Sequence, residues 1–154
     1  MSVLSGPSPT GQVGAAVIEL QRAGVSVYWK VIDGDTPLSV ACSSVPKPNC
    51  VVADAVGAHA SSFYGFLVNQ NSMTQFDTNG SDTPGTKPKD LNGDGWIDVA
   101  TEQNDYTPDY ATGKSYWQTF QSDGNHLTST GCTVPTHNLP PVPTKLVTGA
   151  CPTS

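Results

Sequence analysis

Fifteen glycines and thirteen prolines are spread along a chain of 154 residues. Glycine permits, and proline imposes, backbone angles that regular elements avoid. Much of the chain must therefore lie in turns and loops, and its regular elements must be short. Charge is sparse and acidic: seven Lys and Arg stand against thirteen Asp and Glu. That balance leaves no basic footprint for nucleic acid or for an anionic membrane surface. No apolar run approaches the roughly 20 residues that cross a bilayer. Three Trp, five Tyr and four Phe still supply material for a core, which excludes a charge-driven disordered chain.

The four cysteines, Cys42, Cys50, Cys132 and Cys151, fall in two local groups and form no CxxC. The spacing removes the main support for a zinc or thioredoxin-type site. In a chain rich in Ser, Thr, Asn, Gly and Pro, these cysteines point to two disulfides of a secreted protein. Three connectivities exist, and the local one, Cys42–Cys50 with Cys132–Cys151, is preferred. The first four residues are too short for a signal peptide. Residues 1–10 (MSVLSGPSPT) are small, polar and Pro-containing, and read as a flexible lead-in to a single globular domain over 11–154.

Val13, Ala16, Val17 and Leu20 recur at helical spacing, with Gly24 as a stop, so a short helix is predicted over 11–23. VSVYWKVI (25–32) alternates and is rich in β-branched and aromatic residues, which predicts a strand. A second helix is predicted over 51–63, with Val52, Ala55, Val56, His59, Ala60 and Phe63 on one face. FYGFLVN either extends that helix or starts a strand. Residues 77–95 read as a long polar loop, WIDVA and SYWQTF as short strands, and the last thirty residues as mostly loop. The order predicts an α+β fold: two helices packed on an antiparallel sheet, loop-rich and closed by two disulfides.

The strongest chemical signal is the run from Asp90 to Asp98, DLNGDGWID. Oxygen-bearing side chains stand at its positions 1, 3, 5 and 9, with Gly95 at position 6. A hard cation such as calcium takes six to eight oxygens, and alternate positions of a tight loop can face one point. The predicted ligands are Asp90, Asn92, Asp94, Asp98 and the Trp96 carbonyl, with Ile97 as an apolar anchor. The run resembles the loops of EF-hand, dockerin and integrin-type repeat proteins over nine to twelve residues. Position 12 is Thr101, not Glu, and Pro84, Gly85 and Pro88 forbid a preceding helix. The resemblance therefore implies calcium ligands but no helix–loop–helix. Asp33 and Asp35 read as a turn. Asp105 and Asp109 read as solvated, or as completing the calcium shell.

Nothing marks a catalytic site. HExxH, GxSxG and phosphate-type glycine loops do not occur. Only two glutamates exist, Glu19 and Glu102. His59 is predicted on the apolar face of the second helix, His126 in a turn and His137 in a Pro-rich loop. The chain reads as a non-enzyme.

The predicted helix with Val13, Ala16, Val17 and Leu20, running into the strand Val25–Ile32, and the cysteine-bounded segment 131–151 (GCTVPTHNLPPVPTKLVTGAC) resemble the globular part of bacterial type IV pilins and secretion pseudopilins. The resemblance implies a non-catalytic subunit of a surface filament or pseudopilus, packed against copies of itself. The long apolar helix of that family, beginning FTLIEL, would have been removed or supplied by a separate helical subunit. The expected function is a calcium-stabilised extracellular or cell-surface structural subunit, periplasmic before assembly. A rival is a carbohydrate- or surface-binding module using Tyr106, Tyr110, Tyr116 and Trp117; a third reading is a small secreted hydrolase.

Overall fold

The computed structural model describes residues 2–5, 16–32, 36–43 and 49–153. Among them the fold is all-β, with eleven strands and no helix, which corrects the α+β expectation. The strands are β1 (Ser2–Ser5), β2 (Ala16–Arg22), β3 (Val25–Ile32), β4 (Thr36–Cys42), β5 (Asn49–Ala55), β6 (Ser61–Val68), β7 (Met73–Ser81), β8 (Thr86–Lys89), β9 (Asp98–Asn104), β10 (Ser115–Ser122) and β11 (Leu127–Cys132). They form three antiparallel sheets with orders β1-β2-β3, β4-β5-β6-β7 and β8-β9-β10-β11. Ser2–Ser5, inside the expected lead-in, pairs with Ala16–Glu19 of β2.

The middle sheet is covered on both faces. Cys50, Val52, Phe66, Val68 and Met73 meet Ile18 and Leu20 of β2 on one side. Val51, Ala53 and Phe63 meet Val99, Phe120 and Leu127 of the third sheet, and Ile97 just before β9, on the other. Strand β5 is therefore buried along nearly its whole length. A strand covered on both faces reads as a continuous apolar run, which periodicity alone cannot separate from a buried helix. This is why the second helix was expected over 51–63. The segment is instead β5, a turn containing Gly57 at φ +75°, and the start of β6. FYGFLVN belongs to β6 and a residue beyond it.

The first expected helix fails for a related reason. Ile18 and Leu20, two apart, are both buried, as in a strand. Ala23 and Gly24 have φ of +50° and +79°, the left-handed pair that closes a two-residue hairpin between β2 and β3. The glycine expected to end a helix thus turns a hairpin. With it goes the helix-then-strand order on which the pilin resemblance rested. The strand expectation over 25–32 is met by β3. The expected polar loop over 77–95 holds the end of β7 and all of β8. Residues 33–35, with Asp33 and Asp35, lie outside the described residues.

Both preferred disulfides are present, Cys42–Cys50 and Cys132–Cys151. The second ties down residues 133–153, which run across the outer face of the third sheet. Leu139 and Leu146 pack there on Leu91, Ala100 and Trp117. The Trp117 indole N–H donates to the Pro140 carbonyl at 2.8 Å, and Val147 N–H donates to Thr119 Oγ1 at 3.0 Å. This strap makes the sheet's second face a buried one. No helix among the described residues is long and apolar enough to cross a membrane.

Candidate metal loop and aromatic groove

The Asp90–Asp98 run joins β8 to β9 and is shaped by its own side chains. Asp90 accepts Gly93 N–H at 2.7 Å and Gly95 N–H at 3.0 Å. Asn92 Oδ1 accepts Asp94 N–H at 2.9 Å, and Asp94 Oδ1 accepts Trp96 N–H at 2.8 Å. The Asn92 amide donates to Asp94 Oδ2 at 3.0 Å. Gly93 and Gly95 take φ of +78° and +90°, the region a tight loop reserves for glycine.

Asp98 is fully buried where the loop enters β9. Its carboxylate accepts Leu91 N–H and Ser122 N–H, each at 2.9 Å. Burial pushes this carboxyl above its ordinary 3.8; the two backbone bonds oppose that, and the nearby charges of Asp94 and Asp90 add to it. The structure therefore brings Asp90, Asp94 and Asp98 within electrostatic reach of one another. They do not form a group of three metal-holding carboxylates among the described residues. The donor set is oxygen only, the set a hard cation takes.

Ile97 anchors the loop as expected: it is buried against Val51, Ala53 and Phe63. Its backbone is held by a residue the sequence did not flag. Asn49 Oδ1 accepts Ile97 N–H at 3.0 Å, and Asn49 Nδ2 donates to the Ile97 carbonyl at 3.4 Å. The Trp96 ring lies over Gly124 in the β10–β11 turn, where a Cβ would come 2.5 Å from it.

The other candidates are dispersed. Asp105 accepts Lys114 N–H at 2.8 Å and Thr107 N–H at 3.1 Å, which hold its carboxyl below the usual range. Asp109 accepts Thr112 Oγ1 and N–H, both at 2.9 Å, and is lowered likewise. Both are committed to the β9–β10 loop. His59 is exposed in the β5–β6 turn, edge-on to Tyr110 at 5.1 Å, rather than on an apolar helix face. His126 stands 3.7 Å from Asp77, and His137 is exposed.

The four aromatics expected to face solvent separate into two kinds. Trp117 is buried under the strap and has no free face for a ligand. Tyr106 is exposed and leans against Tyr110, with ring centres 5.6 Å apart. Tyr106 and the buried Tyr116 line a groove of about 470 Å³ with Asp82, Asn104 and Asp105. Asp82 comes from the β7–β8 turn, and residues 152–153 close another side. Sequence reasoning missed Asp82 and Asn104, because no local spacing links a turn residue to a loop more than twenty positions later. The chain matches no protein family, no curated protein and no solved structure.

Proposed function

We propose that this chain is a non-enzymatic extracellular structural module, held by two disulfides and stabilised by one calcium ion. Asp90, Asn92, Asp94, Asp98 and the Trp96 carbonyl would hold the ion. The observation that carries the reading is the loop's register: alternate oxygen donors are fixed by loop amides at one end and by Ser122 of the neighbouring strand at the other. A cation there neutralises three carboxylates, one of them buried, and so stabilises the folded state over the unfolded one by mass action. The two disulfides fit an oxidising compartment outside the cytosol. As a structural subunit it would associate with copies of itself or with a helical partner subunit at a cell surface. The reading rests on the loop and the disulfides, and no longer on an N-terminal helix.

The test is thermal melting with calcium and with a chelator. At a hundredfold excess of calcium over its dissociation constant, about 2.7 kcal/mol of added stability is expected. A melting curve indifferent to both calcium and chelator would remove the metal from the reading. Filament assays with purified chain then address self-association separately.

A further inference from the structure

We propose that the groove bounded by Asp82, Asn104, Asp105, Tyr106 and Tyr116 binds an alkylammonium group. This goes beyond the structural reading and does not depend on the calcium loop. At about 470 Å³ the groove has the size of a small-molecule site. Its charged lining side chains among the described residues are both acids, Asp82 and Asp105. A phosphate or carboxylate ligand is repelled there. A neutral ligand strips water from the carboxylates and returns no charge, whereas a cation compensates them. The two phenol rings add a face that attracts cations through its quadrupole, and tetraalkylated ammonium groups are bound by such aromatic walls.

The lining is built and held in place. Tyr116 is buried, which gives one fixed wall, and Tyr106 is 49% exposed, which gives one open to solvent. Tyr106 sits at φ +51°, an uncommon conformation for a bulky side chain. Asn104 secures it: its Oδ1 accepts Tyr106 N–H at 2.7 Å, and its Nδ2 donates to the Tyr110 carbonyl at 3.1 Å. Asp82 lies on the same groove wall as the Tyr106 phenol and acts on it electrostatically. Both phenols are pushed above their ordinary value, by desolvation first and by Asp82 next, as a negative field over the groove requires. Asp105 already accepts the Lys114 and Thr107 backbone N–H groups, so Asp82 is the carboxylate assigned to the incoming cation.

The experiment titrates the full chain by calorimetry, at fixed calcium, with choline, with its neutral isostere 3,3-dimethylbutan-1-ol, with Nα-acetyl-lysine methylamide and with glucose. Choline should bind, and the isostere should bind at least about tenfold more weakly. Asp82→Asn and Tyr106→Ala should each weaken choline about tenfold while leaving the melting temperature nearly unchanged. Tighter binding of the lysine mimic assigns the site to a polypeptide side chain; tighter binding of choline assigns it to a quaternary headgroup. Equal binding of choline and its isostere, no binding of either ammonium, or binding of glucose alone overturns the proposal. Should Tyr106→Ala fail to fold, Asp82→Asn decides it.

Discussion

The side chain of Asn49 brackets the backbone of Ile97, accepting its N–H at 3.0 Å and donating to its carbonyl at 3.4 Å, across 48 positions of sequence. Two bonds, one to a residue's N–H and one to its carbonyl, are what a neighbouring strand would supply; here one side-chain amide supplies both. The same Nδ2 reaches Ser122 Oγ at 3.3 Å, and Ser122 N–H holds Asp98. The start of β5, the end of the loop and the end of β10 are thus joined in one buried set.

Asn49→Leu leaves the Ile97 N–H and carbonyl buried without those partners. Each orphaned group costs about 1–3 kcal/mol, so a loss of at least about 2 kcal/mol is expected. Urea unfolding measures it. A midpoint equal to that of the unmodified chain would show that water replaces the bracket at no cost.

Asp94 is exposed and belongs to the loop rather than the core. Asp94→Ala removes the two exposed hydrogen bonds it accepts from Trp96 and Asn92 and should lower stability without calcium by about 0.5–1.5 kcal/mol. It should abolish the rise in melting temperature that calcium gives the unmodified chain. Calorimetric scans of both proteins, with and without calcium, read the two effects separately.

Gly124 carries the Trp96 ring and has φ +90°. Gly124→Ala adds a methyl 2.5 Å from that ring in a backbone region that disfavours it. Destabilisation of about 1–3 kcal/mol is expected, with a weaker calcium response as Trp96 is displaced. Tryptophan emission and urea melts check both. Unchanged emission would mean that the turn moves and the indole does not.

Cys132–Cys151 closes a loop of 19 positions. Its removal by Cys132→Ala with Cys151→Ala should cost about 3 kcal/mol through the unfolded chain. Hydrogen exchange at the Trp117 and Val147 amides, which join β10 to the strap, should rise more than exchange in β5. Uniform acceleration across all three sheets would show that the strap does not loosen by itself.

Asp123 accepts Asn125 and His126 N–H, both at 2.8 Å, and these bonds hold its carboxyl below 3.8. A carboxyl lowered in the folded state stabilises above its unfolded value and loses that contribution as pH falls through the lowered one. Stability should therefore drop below about pH 3.8. Asp123→Asn, which keeps an acceptor oxygen, should flatten that drop. An identical acid slope in the variant would place the acid sensitivity elsewhere.

The sequence made legible what local chemistry controls. The alternation of β3, the two disulfide pairs and the oxygen register of the Asp90–Asp98 loop are carried by residues close together in the chain. The strands β2 and β5 were misread because their character is set by what covers them. Val51 and Val52 are both buried only because sheets lie on either side. The Ala23-Gly24 hairpin looked like a helix end, since the same glycine serves both uses. Asn49 and Asp82 carry no local pattern; their partners lie far along the chain. Trp117 looked available until Leu139 and Leu146 were placed over it.

In each of the three sheets, chain order and spatial order agree, with every pairing made between successive strands. No strand formed late must insert between two formed early. Closure within a sheet spans connections of ten residues or fewer, whose entropic cost grows only slowly with length, and hairpin pairings form on the microsecond scale. The slow part of folding is then the stacking of finished meanders, in which β2 meets β5 and β9 meets β7. Such a chain can acquire its sheets one at a time, each complete before the next is made.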